Sequence, residues 1–450
     1  MKNDNEKIFE IYKEDEKLKW GSQGYKHFDC PLGRKASLRL VKSFVNLNNV
    51  VKFIHYPLIV RYKKQLKFKN GKKKVKLRKL SLVSHKDSVL LKFYSQILND
   101  YYEEYLIKNE LTSEVVAYRK GKDNIGTAKE VFDFIKKHSL KKECYVIKGD
   151  FCSYFDNLNH KILKDNLKKV LGCQRALSSD WYSIYKFITK MPYVSYKSIQ
   201  DFGKNKSSYF KDGKELSQAI KNKKIKLQKA PRKGIPQGTS ISGILANIYA
   251  IEMDKKLKKL VESYSGMYRR YSDDFIIVLS DINKSKLDAV YKEIENIVDV
   301  AKQKLEKEKT GKYQFYGNEC IDLSKNVKSK LVYLGFSFDG RKVLLREGTM
   351  ARFVYKSKYN IKIMHENILK NTKNNIPGRH KIVQRFLAVT KPKPKSNMLS
   401  YAERAQKKMQ SFDNIKITYD VNIRKQVKRR IYKNQKYYGL LKKDSNFNNQ

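Results

Sequence analysis

Asp273 and Asp274 stand side by side in the string YSDDF, and an apolar run, FIIVL, follows at once. Two like charges at the mouth of a strand that reads as buried repel each other unless a cation sits between them. Mg²⁺ is the usual solution, held by one or two carboxylates together with substrate phosphates. Taken alone, the string also suits a solvated turn. A third acid changes the balance: Asp150 ends the strand-like segment ECYVIKGD, and Asp156 follows in FCSYFD. A carboxylate at a strand end beside a hairpin bearing two more can hold two Mg²⁺ ions about 3.5–4 Å apart. Such a pair activates a 3′-hydroxyl and stabilises a departing pyrophosphate.

Between these acids lies GIPQGTSISGILANIYAIEMD, where Gly234, Pro236 and Gly238 bracket Gln237 in a rigid turn. Small residues there allow close backbone approach, and a helix is expected from near Ser240. Upstream, residues 51–80 run from VKFIHYPLIV into an intensely basic stretch centred on Asn70-Gly71, a type I′ hairpin signal. SVLLKFYSQILNDYYEEYLI carries helical periodicity. EVVAY reads as a short strand and RKGKDNIG as a loop. TAKEVFDFIKKH reads as a helix with Thr127 as N-cap and Glu130 three residues on. Residues 201–233 are polar and basic and read as an excursion, whereas 284–305 read as an amphipathic helix with Leu287, Val290, Ile294, Ile297, Val298 and Ala301 on one stripe. LVYLGFSFDGRKVLL reads as a hairpin turning at Asp339-Gly340, and a mostly helical, basic region follows, broken by KPKPKSN. The expected division is 1–50, a helical lead-in; 51–145; 146–345, with the excursion near 201–233; and 346–450. Strands interleaved with helices make the fold α+β, with a helical end.

The chain of 450 residues carries 98 Lys+Arg against 45 Asp+Glu, a net charge of +53. With 40% hydrophobic residues and 31 Tyr it is a folded protein, not a basic tail, so its field calls for a polyanionic partner. Nucleic acid fits best, because neutralised phosphates release counterions. No window approaches the ~18 apolar residues of a membrane helix, and the charged start MKNDNEKIFEIYKEDEK has no signal-peptide core. Five widely spaced cysteines and seven unpaired histidines give neither a disulfide framework nor a zinc site, which suits a reducing, cytoplasmic setting, and the cysteines read as small buried hydrophobes.

The order DFCSYFD, GIPQGTSISGILANIYA, YSDD, LVYLGF resembles the palm motifs of reverse transcriptases, collinear over roughly residues 75 to 340. The resemblance implies a right-hand polymerase with fingers over 51–145, a palm over 146–345 and a basic helical thumb-like region beyond. It implies that Asp150, Asp273 and Asp274 are the metal-binding triad, with the backbone carbonyl of Phe151 as a further ligand, for two Mg²⁺ ions or Mn²⁺ in their place. Phe155 falls where the family crowds a ribose 2′-hydroxyl, implying dNTPs and a DNA product. Gln237 resembles the residue that packs on the incoming nucleotide. Arg119 and Lys122 resemble the fingers cations that hold the triphosphate, with Arg78 on the same basic surface. Lys309 resembles the lysine that protonates pyrophosphate, although Lys307 beside it competes for the role. Leu334-Gly335-Phe336 resemble the primer-grip hairpin, and Tyr271 would pack under the primer end. Asp156 and His160 read as capping and orienting the helix that follows them.

Within the family, no Cys/His cluster of the group II intron type follows Cys320, and Val389-Thr390 only partly echo a retron string. Telomerase-like and retroviral readings find no support in the residues. The arrangement is most similar to bacterial defence-associated, Abi-like enzymes of the "unknown group", which implies a dedicated noncoding RNA as partner, an antiphage role and a homo-oligomer in some members. Intron- or retron-type enzymes are the alternative, and a catalytically silent RNA-binding scaffold is the competing class.

Overall fold

In a computed structural model, the chain is described for residues 24–69, 72–203, 207–370 and 398–410, and at a few isolated positions outside these ranges. The Asn70-Gly71 turn, the KPKPKSN stretch and Val389-Thr390 lie outside the described residues. Two compact units are present. One comprises Met1–Lys64, Leu77–Lys122 and Val146–Gly311; the other comprises Gln65–Lys76, Asp123–Tyr145 and Lys312–Gln450.

The first unit is organised around the strands that carry the acids. Asp274–Leu279 lies between Met267–Tyr271, its antiparallel hairpin partner, and Cys144–Asp150. Phe275 to Leu279 are all buried, so the run FIIVL is a central strand shielded on both faces. Helices Ser242–Tyr249 and Ile251–Glu262 pack in the same unit, the former starting two residues later than its sequence suggests. The long helix His85–Lys108 has an unusually well-served N-terminus. Ser84 Oγ accepts from Asp87 N, while Asp29, 56 residues upstream of His85, accepts from the N–H groups of His85 (2.8 Å) and Lys86 (2.9 Å). Carboxylates are favoured there because the first N–H groups of a helix have no internal partner.

Three sequence readings are corrected. EVVAY is a turn, with a single bridge from Val115 to Arg270, because only one residue of the neighbouring strand lends it a pair of backbone bonds. The segment 201–233, polar by count, contains the helix Gly213–Lys221, capped by Asp212. Its Leu216 and Ala219 join Tyr209, Phe210 and Ile225 in a buried cluster with Phe28, Ile59, Val194 and Ile199. The cysteines are not uniformly buried: Cys144 and Cys320 are, but Cys30 is exposed.

In the second unit, helix Asn124–Ser139 begins earlier than expected. Asp123 is its N-cap, accepting from Gly126 N, and Thr127 lies inside the first turn with its hydroxyl bonded to the Asp123 carbonyl. Strands Leu331–Tyr333, Phe336–Phe338 and Lys342–Leu345 form an antiparallel meander. Its first turn is Leu334-Gly335, both at positive φ, and its second is at Asp339-Gly340. The basic C-terminal region contains the helices Glu347–Lys370 and Met398–Gln410 and the short strand Lys416–Ile417, which pairs in parallel with Lys342–Leu345. Among the described residues no helix is long and apolar enough to cross a membrane.

Candidate active site

Asp150 is the last residue of its strand, and the backbone beyond it is pinned from both sides. The N–H of Phe151 donates to the Asp273 carbonyl (3.1 Å), which seats the Asp273–Asp274 turn against the strand end. On the other side, Cys152 N donates to Lys304 O and Glu306 N to Asp150 O, both at 2.8 Å. These two bonds, from the residues on either side, bridge Phe151 to Leu305. The three acids that are 123 and 124 positions apart in the chain therefore meet at one strand end.

Both turns carry a non-glycine residue in the left-handed region, Ser153 (φ 44°) and Ser272 (φ 63°). Such residues persist only where the surroundings hold them. Gly149 explains how the strands come so close. A Cβ there would lie 2.2 Å from the ring of Phe275, which stacks on Phe151 at 5.3 Å.

The electrostatics are those of a cluster of mutually repelling acids. Burial, then repulsion from Asp150, raises the Asp273 carboxyl above its ordinary value. Asp274 is likewise raised, chiefly by burial, with Asp150 and Asp273 adding to the rise and Lys148 opposing it. Lys148 Nζ stands 3.8 Å from Asp274 Oδ1. Lys309 Nζ is bonded to Asp150 Oδ2. Burial pulls this ammonium down, but the Asp150 bond and the charges of Asp150, Glu306 and Asp273 outweigh it and hold it above the lysine value. Asp150 Oδ1 is buried and has no hydrogen-bond partner. An orphaned, buried carboxylate oxygen facing mutually repelling acids is what a divalent cation would satisfy, so the donor set fits a metal. Among the described residues no three His, Cys, Asp or Glu side chains are arranged as a metal site, and here two ammonium groups, Lys148 and Lys309, offset the repulsion of the acids.

The remaining residues separate into two groups. Phe155, half-buried, sits in the short helix Tyr154–Asn157, and its carbonyl accepts from Ile235 N (2.8 Å). Gly234 N donates to Leu158 O, and Gly234, at φ +85°, passes so close to Asp156 that a Cβ would lie 2.6 Å from its carbonyl oxygen. Gln237 is fixed by the bond from Ser81 N to its carbonyl (2.7 Å). Asp156 and Gln237 line one cavity of about 290 Å³, together with Lys79, Lys233 and the Gly234-Ile235 segment whose backbone bonds to Phe155. Lys122 and Arg78 are exposed, and Tyr271 is half-buried opposite Asp274 in the hairpin register.

Arg119 does not fit its expected role. Its guanidinium is spent on Glu103 through Nε and Nη2 (2.7 and 2.6 Å) and on the carbonyls of Thr112 and Val115 through Nη1. It is a clamp on its own loop, with its side chain 5% exposed. Helix capping is also reassigned: Asn159, not Asp156 or His160, accepts from Lys161 N and Ile162 N, while His160 Nε2 pairs with the Gly234 carbonyl. Sequence reasoning missed Lys148, whose signal is the two-residue spacing that puts it on the same sheet face as Asp150.

Residues 69–338 match the family described as "Reverse transcriptase (RNA-dependent DNA polymerase)", more than half of the chain. This chain belongs to the reverse transcriptase family. The family is one of RNA-dependent DNA polymerases, and the α+β fold of this chain is that of the right-hand polymerases. No curated protein matches it. Among solved structures it is similar to telomerases. Apo telomerase from Candida tropicalis, truncated from its C-terminal domain, shares 14% identity over 69% of this chain and 59% of that one, at a TM-score of 0.41. The apo enzyme of the same species without that truncation gives 13%, 93%, 74% and 0.42. Telomerase from Candida albicans with a fragment of telomeric RNA gives 11%, 92%, 66% and 0.39. The reverse transcriptase thus spans less than two thirds of the first of these chains, and likeness at this level carries no functional argument.

Proposed function

We propose that this reverse transcriptase copies RNA into DNA, joining dNTPs to a 3′-hydroxyl at the strand end shared by Asp150, Asp273 and Asp274. The observation that carries the reading is the bond from Phe151 N to Asp273 O, which brings distant acids together around the unpartnered Asp150 Oδ1. Asp150, Asp273, Asp274 and the Phe151 carbonyl would hold two Mg²⁺ ions, which when bound supply charge stabilisation to the entering and leaving oxygens. Lys309 carries a proton at Nζ beside Asp150, in a position to give it to departing pyrophosphate. Phe155 excludes a 2′-hydroxyl, Gln237 seats the base, and the exposed Lys122 attracts the triphosphate, with Arg78 on the same basic surface.

The resemblance of the motifs to defence-associated enzymes supports a structured noncoding RNA as template and an antiphage role in the cytoplasm. The division into fingers, palm and thumb-like regions follows the same resemblance. The test is dNTP incorporation on primed poly(rA) with Mg²⁺, beside Asp273→Ala/Asp274→Ala. Incorporation by the wild type alone is expected. Equal silence of both proteins, with RNA binding intact, would replace the enzyme with a scaffold. Sequencing of the RNA and cDNA that co-purify with the protein distinguishes a dedicated noncoding RNA from an intron or a retron.

A further inference from the structure

Arg270 is one of the largest fully buried side chains in the protein, and it lies three positions before Asp273. Its five N–H donors are all engaged. Nε and Nη2 take the two oxygens of Asp254 (2.8 and 2.7 Å), a carboxylate as deeply buried as the guanidinium. Nη1 reaches Asn247 Oδ1 (3.0 Å) and the Ser272 carbonyl (3.2 Å), and Nη2 also reaches the Asn247 carbonyl (3.4 Å). Tyr268 donates to the same Asp254 (2.7 Å), and Asn247 Nδ2 donates to the Ala117 carbonyl (2.7 Å). The Arg270 backbone is bonded to Glu114 O and Val116 N, and Tyr118 Oη pairs with Ser272 Oγ at 3.0 Å.

A buried ion pair can be exchanged for apolar residues of similar volume without loss of stability, so stability alone does not account for this one. What an apolar pair cannot supply is the bond to Ser272 O. Ser272 is in the left-handed region, its carbonyl belongs to the peptide that enters Asp273, and the planar fork of an arginine alone reaches Asp254 and that carbonyl together. Resting on the polymerase reading above, we propose that Arg270, held by Asp254 and Asn247, is a positioning residue that fixes the Ser272–Asp273 peptide and thereby aims the Asp273 and Asp274 carboxylates at their metal ions.

Two variants of the full chain test this: Arg270→Lys, which keeps the charge but not the fork, and Arg270→Met/Asp254→Leu, which keeps the packing but has neither. Folded fraction is measured by thermal melting, and kcat and KM for dTTP on primed poly(rA) are normalised to it. Binding of Mn²⁺ alone is followed by electron paramagnetic resonance. Both variants are expected to lose at least ~10-fold in kcat with KM changed less than ~2-fold, and to bind Mn²⁺ at least ~10-fold more weakly, because a misplacement near 1 Å costs on the order of 10²-fold. Losses no greater than the drop in folded fraction, or a double variant with wild-type kcat and Mn²⁺ affinity, would overturn the proposal. The polymerase reading fails separately, if the wild type binds Mn²⁺ through Asp273 yet incorporates no dTTP. In that case the Mn²⁺ affinities alone decide the role of Arg270.

Discussion

Replacing Gly149 by alanine should damage both stability and catalysis, and the structure gives the scale. The added Cβ would lie 2.2 Å from two atoms of the Phe275 ring, whereas ordinary contact begins at 3.4 Å, so the ring or the strand must yield by roughly 1.2 Å. Phe275 is fully buried and stacked on Phe151, and has no open side to move toward. Overpacking of this kind costs about 1–3 kcal/mol. Phe275 follows Asp274 and Phe151 follows Asp150, so the displacement passes directly into the acids. A shift near 1 Å at a reacting centre can cost on the order of 100-fold in rate. The assay is a double-mutant cycle on Gly149→Ala and Phe275→Leu, read by chemical denaturation and by kcat for dTTP incorporation. The single Gly149→Ala change should lose about 1–3 kcal/mol and at least ~10-fold in kcat. Gly149→Ala/Phe275→Leu should regain at least about 1 kcal/mol relative to additivity, because the smaller side chain vacates the space the methyl needs. Additive losses, or an alanine variant within about 0.5 kcal/mol of wild type and fully active, would refute the steric argument.

Other outcomes follow from the same geometry. Arg119→Ala should lower the melting temperature by several degrees and change the KM for dNTP only in step with folded fraction, since its donors are consumed by Glu103, Thr112 and Val115. Lys122→Ala should raise that KM without altering the melt, and the opposite assignment of effects would exchange their roles. Phe155→Val should admit ribonucleotides, as read by the ratio of kcat/KM for dTTP and UTP; an unchanged ratio removes Phe155 from sugar selection. Asp273→Asn should abolish incorporation yet stabilise the metal-free protein at neutral pH. Because the folded Asp273 pKa is raised by burial and by Asp150, its ionised form costs stability above that pKa, and the cost is relieved as pH falls through it toward the ordinary 3.8. The melting difference between variant and wild type should therefore shrink on acidification; a difference that grows would show the sign to be wrong.

The acids were legible because clustered carboxylates leave a local mark: two adjacent ones before an apolar strand, and a third at the end of another. Their meeting was not legible, since it depends on backbone bonds from Phe151 to Asp273 and from Glu306 to Asp150 that no spacing encodes. Thr127 followed by Glu130 had the pattern of a capping box, but Asp123, four residues earlier, offered a carboxylate to the same N-terminus and took it. The segment around Leu216 looked solvated by count, because burial there is decided by apolar partners supplied from Phe28, Ile59 and Val194.

The arginines show why composition stops short of site. A net charge of +53 assigns a polyanionic partner to the surface, yet it treats every cation alike. Arg119 lies in a basic loop and reads as a phosphate ligand, but a glutamate 16 positions back neutralises it and two nearby carbonyls use its remaining donors. Arg270 is equally basic and sits in the core, because Asp254 accompanies it there and five acceptors match its five N–H groups. Lys309, by contrast, is still 42% exposed while its ammonium touches Asp150, so it retains the freedom to leave that carboxylate that a proton donor needs. A guanidinium whose donors are all paired is fixed in place and can only position others. An ammonium on a flexible stem, within reach of both Asp150 and Glu306, can move, and that freedom is what the proposed proton-donor role of Lys309 requires.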